Sequence, residues 1–249
     1  MDNLMSAAAS GMKARMESLE MLANNVANTG TVGFKSDREF YNLYTSPDAS
    51  AAAADGFHPD ASTLPVIERQ WTDFSQGTLL PTGNPLDLAL TGPGFFVVKS
   101  AAGPLYTRNG NFQLSKEGQL ETQQGYAVED DKGQPIQLDP AQRVDISADG
   151  VVRQQGQEIA QIAVVDFSKI SGLAKRDGTY FQIDSNVVAP NPAKDTQVKQ
   201  ATLENSNVPA AEAAVRLVGV LRQFEMLQRA VSLGTQMDKS IQDIAKVTS

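Results

Sequence analysis

The chain has 249 residues, 41% hydrophobic and 6% aromatic, which is enough for one large domain or a few small ones with a core in only part of its length. A net charge of −8 with no basic run disfavours nucleic acid and anionic membrane surfaces as partners, because phosphate binding needs clustered Lys and Arg. There is no cysteine, so thiolate nucleophiles, disulfides and Cys-based metal sites are all excluded.

The first residues lack a basic segment followed by a long apolar one, and no stretch approaches the roughly 20 apolar residues of a membrane span. Residues 2–28 carry Met5, Ala8, Met12, Leu19, Leu22 and Val26 at steps of three, four or seven, the spacing that lays an apolar stripe on one helix face. Small residues at Ala8 and Gly11 would admit a second helix closely, and Gly30 and Gly33 are placed to end the helix. Residues 31–75 are predicted to be an extended arm and linker, with an Ala-rich, turn-prone loop over 46–56.

Residues 76–184 alternate short apolar runs, such as Phe95-Phe96-Val97-Val98 and Ile162-Ala163-Val164-Val165, with turn signals including Asn109-Gly110, Gln155-Gly156 and Asp177-Gly178. This pattern predicts an antiparallel β domain. Residues 185–208 are polar, contain Pro190 and Pro192, and are predicted to be a return arm. Pro209 then suits the first turn of a last helix over 209–249, with Asn207 or Ser206 as its cap. That helix carries Leu217, Val220, Leu221, Phe224, Leu227, Val231, Met237, Ile241 and Ile244 at helical steps. Apolar helices at both ends of one chain point to an assembly subunit.

Chemistry-bearing constellations are sparse. His58, the only histidine, falls in the predicted loop without a second His or a nucleophile elbow. Gly92-Pro93-Gly94 precedes a strand and not a helix, so it fails as a phosphate loop. Glu129-Asp130-Asp131 is read as a solvated hairpin tip, while a pairing of Glu121 with Asp145 stays open. No catalytic residue, metal or cofactor is expected.

Leu22-Ala23-Asn24-Asn25-Val26-Ala27-Asn28 and Thr29-Gly30-Thr31-Val32-Gly33-Phe34-Lys35 resemble the N-terminal signature of bacterial flagellar rod and hook proteins. Gly83-Asn84-Pro85-Leu86-Asp87-Leu88-Ala89-Leu90, Gly92-Pro93-Gly94-Phe95-Phe96 and Tyr106-Thr107-Arg108-Asn109-Gly110-Asn111-Phe112 resemble the central signature of that family. Leu203-Glu204-Asn205-Ser206-Asn207-Val208 and Arg222-Gln223-Phe224-Glu225 resemble the C-terminal one; Val26 and Asn205 replace the family's usual Leu and Gly. The opening Met1-Asp2-Asn3-Leu4 is most similar to members of the proximal rod, with the distal rod as the near alternative.

The resemblance implies an α+β fold in which the terminal helices form a coiled-coil-like inner layer and the antiparallel β domain lies outside. It implies a structural, non-enzymatic role in the basal-body rod, with copies of itself and other rod subunits as partners. It also implies passage through the flagellar type III export apparatus without a cleaved signal. Leu19, Leu22, Asn24, Asn25, Val26, Asn28, Leu217, Leu221, Phe224, Leu227 and Val231 are the expected subunit-assembly residues. The Asn amides would fix register between helices, since an unpaired buried amide costs about 1–3 kcal/mol. A carbohydrate-binding or hydrolytic β module is the reading from another class, and it is weakened because Trp71, the sole tryptophan, precedes the β domain.

Overall fold

The computed structural model describes the backbone of residues 2–44, 64–168, 170–183 and 190–247, and the side chains of 9–39, 70–168, 170, 172–183 and 190–236. The predicted loop over 46–56 and His58 lie outside the described residues, as do the side chains of Met5, Ala8, Met237, Ile241 and Ile244. An N-terminal helix, a central antiparallel β region and a C-terminal helix make the chain α+β. It divides into two units: Met1–Ala27, Asp37–Trp71 and Pro209–Ser249 in the first, Asn28–Ser36 and Thr72–Val208 in the second.

The first unit holds helix α1 (Asp2–Ala27), helix α2 (Ala210–Val247) and a two-stranded sheet of β1 (Asp37–Tyr44) and β2 (Leu64–Thr72). The described part of the predicted arm is therefore largely paired strand. The helices run antiparallel: Met21 and Leu22 cluster with Leu217 and Val220, and Gly11 lies opposite Leu227. Buried positions on α1 fall at Ala14, Ser18, Met21 and Asn25, with Leu22 buried beside Met21. Covered positions on α2 fall at Ala213, Leu217, Val220, Phe224, Leu227 and Val231. Both follow alternating steps of three and four, which keep one stripe facing the partner. A Cβ on Gly11 would meet Leu227 Cδ1 at 3.8 Å, an ordinary contact, so close helix approach does not demand glycine there.

The second unit is built around β5 (Phe95–Ser100). It pairs antiparallel with β6 (Gly103–Thr107) on one side. On the other it pairs with β13 (Val164–Asp166) and then β9 (Ala127–Val128). Strands β7 (Phe112–Leu114), β8 (Leu120–Thr122), β14 (Leu173–Asp177), β15 (Tyr180–Ile183) and β16 (Asn191–Pro192) complete this nine-stranded sheet. Phe96 and Val98 enter one core with Leu88, Phe112 and Leu120, while Phe95 and Val97 enter another with Tyr106, Phe167 and Phe181. Burial on both faces explains why β5 reads as a continuous apolar run and not as an alternating one.

A second sheet joins β10 (Val144–Ile146), β11 (Val151–Gln154) and β12 (Gln157–Gln161). Its β11–β12 hairpin turns at Gln155 and Gly156, with φ of 49° and 79°, the paired positive values of a two-residue hairpin loop. Asn109-Gly110 behaves otherwise. β6 and β7 are not neighbours in the sheet, and a Cβ on Gly110 would lie 1.7 Å from Leu88 O. That glycine serves a close backbone crossing.

The stretch predicted as a return arm carries β17 (Gln197–Gln200) and β18 (Thr202–Glu204) in addition to β16. β17 pairs with β4 (Leu88–Thr91), and β18 pairs with β3 (Leu79–Pro81). These residues belong to the β body because Leu88–Leu90 and Val198 are buried there and the β4 backbone needs a ladder partner.

Candidate functional site: helix faces and a buried ion cluster

In the first unit, the sequence-predicted assembly residues divide by burial. Leu22 and Asn25 are buried, and Leu19, Val26, Leu217, Phe224, Leu227 and Val231 are half-buried. Asn24 and Leu221 are exposed. Leu19, Leu22 and Leu217 meet in one cluster, so Leu22 is covered and Leu19 and Leu217 are partly covered within the chain. What remains uncovered on α2 is a second stripe. Val215, Val218, Met226 and Leu233 are 74%, 48%, 60% and 59% exposed and lie on the face turned away from α1. Met16 on α1 is likewise exposed. A helix apolar on two faces has one face left to bury elsewhere.

Asn25 uses both ends of its amide inside the chain. Nδ2 donates to Asp37 O at 2.7 Å, and Oδ1 accepts from Asp37 N–H at 3.0 Å. The start of β1 is thereby fastened to α1, with Ser18 Oγ donating to Glu39 Oε2 at 2.6 Å about two turns earlier. Asn28, in the second unit, accepts from Thr31 Oγ1 at 3.0 Å within its own turn.

In the second unit, the signature segments converge on Glu204, which is wholly buried. Its Oε1 accepts from Lys35 Nζ at 2.6 Å and from Gly77 N–H at 2.9 Å. Its Oε2 accepts from Arg108 Nη1 at 3.4 Å, and its backbone carbonyl accepts from Gly33 N–H at 2.7 Å. Lys35 Nζ also donates to Ser75 O at 2.7 Å, and Arg108 Nη2 to Gly92 O at 2.8 Å. Two cations thus share one carboxylate. Burial pushes both Lys35 and Arg108 below their ordinary pKa values, and the Glu204 charge opposes that shift in each. Arg108 Nε is buried without a hydrogen-bond partner. Lys175 closes the edge, donating to Lys35 O at 2.8 Å with its ammonium 4.3 Å from the Phe34 ring centroid.

Asn207 joins the same structure. Its Oδ1 accepts from Ser36 N–H at 2.8 Å, and its Nδ2 donates to Asp73 O at 2.7 Å. The amide expected to cap α2 is therefore engaged in the β body. Ser206 Oγ accepts from Val208 N–H, and α2 opens with Pro209 O accepting from Ala213 N–H.

Lys35, Arg108 and Glu204 were assigned no role by sequence reasoning, and Asn207 was assigned only that of a helix cap. The available signal was three charged residues inside otherwise apolar or turn-forming signature segments.

The carboxylates considered for chemistry are separately engaged. Glu121 Oε1 accepts from Gln113 Nε2 at 3.1 Å on β8, and Asp145 pairs with Arg143 at 3.4 Å on β10. Gly92 and Gly94 adopt φ of 107° and 130° ahead of β5, a turn into a buried strand. Among the described residues, no group of His, Cys, Asp or Glu is placed to hold a metal. Among them, too, no helix is long and apolar enough to cross a membrane.

Comparison with known proteins accounts for the three signature regions. Residues 5–35 match the family model described as flagella basal body rod protein. Residues 89–154 match the flagellar hook protein FlgE/F/G D1 domain, and residues 199–244 match the C-terminal region of flagellar basal body rod FlgEFG proteins. The chain is 33% identical to the flagellar basal-body rod protein FlgF of Caulobacter vibrioides over 96% of both chains. It is 32% identical to FlgF of Rhizobium meliloti over 88% of this chain and 87% of that protein. It is 30% identical to the rod protein FlgG of Buchnera aphidicola subsp. Schizaphis graminum over 91% of this chain and 94% of that one. With its terminal helices, its β region and the segments that meet at Glu204 all matched in order, the chain belongs to the flagellar basal-body rod protein family.

Proposed function

We propose that the chain, a structural subunit of the flagellar basal-body rod, polymerises with copies of itself and other rod subunits through its terminal helices. The observation that carries this reading is the exposed stripe of Val215, Val218, Met226 and Leu233 opposite the face of α2 that packs on α1. Covering such a stripe with a neighbour's helices yields a coiled-coil-like inner layer, favoured by about 25 cal/mol per Å² of apolar surface buried. The seam facing α1 holds each subunit's helix pair together, while the outward stripe and Leu221 join subunits. The role is mechanical and not enzymatic. The opening Met1-Asp2-Asn3-Leu4 supports a place in the proximal rod. Delivery to the basal body proceeds through the flagellar type III export apparatus.

The test is the double variant Val218→Asp/Met226→Asp. Both side chains are exposed, so the monomer should keep its melting temperature and circular dichroism while incorporation into basal bodies is lost. Normal incorporation, read by mass spectrometry of purified basal bodies and by swimming, would remove the stripe as the assembly surface.

A further inference from the structure

Glu204 gathers groups that the chain holds far apart. It is separated from Lys35 by 169 residues and from Arg108 by 96. We propose that Glu204 is the closing element of a charge latch. It makes the seating of the N-terminal arm (residues 28–36) and of the C-terminal arm (residues 202–208) on the β body a single, all-or-none event. The proposal concerns the folded chain by itself and does not depend on polymerisation.

Three observations carry it. Lys35 and Glu204 have fully buried side chains and that of Arg108 is 5% exposed, so the charges are out of water. With Glu204 lifted away, Lys35 and Arg108 would face each other as buried cations, and half-seated states are therefore penalised. The arms are also inlaid at the backbone. Gly33, at φ 69°, lies where a Cβ would come within 2.4 Å of Asn109 N, and a Cβ on Gly77 would come within 2.0 Å of Asn205 O. Such fits are made or lost whole. Finally, Asn207 bridges from the C-terminal arm to Ser36 N–H and Asp73 O, so neither arm is held independently of the other.

The test is hydrogen exchange on the full-length chain carrying Glu204→Gln, a near-isosteric change that removes the charge and turns one acceptor oxygen into an amide NH2. Peptides spanning 30–36, 73–78 and 202–208 should lose protection together, each exchanging about 100-fold faster, while a peptide across β5 and β6 stays within about threefold of the unmodified chain. Lys35→Met, which leaves one cation for one carboxylate, should change the same peptides by less than about tenfold. Release of 202–208 with 30–36 still protected would overturn the latch, as would unchanged exchange in all three. Loss of protection across β5 and β6 as well would also overturn it, because the cluster would then be part of the global core. So would an equal effect of Lys35→Met.

Discussion

Asn25→Ala removes two side-chain bonds between α1 and Asp37, at 2.7 and 3.0 Å. A net hydrogen bond contributes about 1 kcal/mol, so two lost bonds amount to about 2 kcal/mol, or roughly a 30-fold shift in the local opening equilibrium. Asp37 is half-buried, so water reaches it on opening and the cost stays near that sum rather than at the full penalty of two orphaned groups. Asn25→Asp keeps the acceptor for Asp37 N–H but turns a carboxylate oxygen toward Asp37 O, and it should cost at least as much. Amide exchange resolved at residues 37–39 is the assay. Asp37 should exchange about 30-fold faster in Asn25→Ala, with β5 and β6 changed by less than about threefold. Equal protection of Asp37 in the variant and the unmodified chain would refute the reasoning, since the two bonds would then contribute nothing that the surrounding strand does not already supply.

Gly110→Ala places a Cβ 1.7 Å from a backbone oxygen that cannot rotate aside, so thermal unfolding should show a loss of about 3 kcal/mol or more; a loss under 1 kcal/mol would contradict the crossing described at Leu88. Gly11→Ala meets only an ordinary contact with Leu227 and should stabilise α1 by about 0.5–1 kcal/mol, while destabilisation would show a tighter helix approach. The Tyr106 and Tyr180 phenols lie above the ordinary value of 10.0, because burial disfavours the phenolate and, at Tyr106, the Glu129 charge adds to it. A raised folded value means that their contribution to stability is complete below pH 10 and is lost as pH climbs through the folded values. Part of the phenolate absorbance should therefore appear only with loss of β circular dichroism, and Tyr180→Phe should shrink that part; simple titration of all tyrosines near pH 10 would exclude it.

The helices were legible because amphipathic periodicity is a local property. The stripes over residues 2–28 and 209–249 anticipate α1 and α2, and the run Phe95-Phe96-Val97-Val98 anticipates β5. The turn chemistry of Gln155-Gly156 was legible for the same reason, since a two-residue hairpin loop needs positive φ at consecutive positions. Gln197-Val198-Lys199-Gln200 shows the limit. One apolar residue among three polar ones carries no strand pattern, and these residues are a strand only because β4 offers them a ladder.

The apolar residues of α2 show a second limit. Spacing places Leu217 and Leu221 in one stripe, yet only the packing of α1 decides that Leu217 is partly covered and Leu221 is not. The ion cluster was the least visible. A lysine, an arginine and a glutamate in separate segments read as solvated side chains until tertiary structure removes the water around them. By itself the sequence determined the two terminal helices and the apolar strand β5, because such patterns depend on neighbours a few residues away. Only the tertiary structure decided which charges are buried and what they bind, because desolvation depends on groups brought from distant parts of the chain.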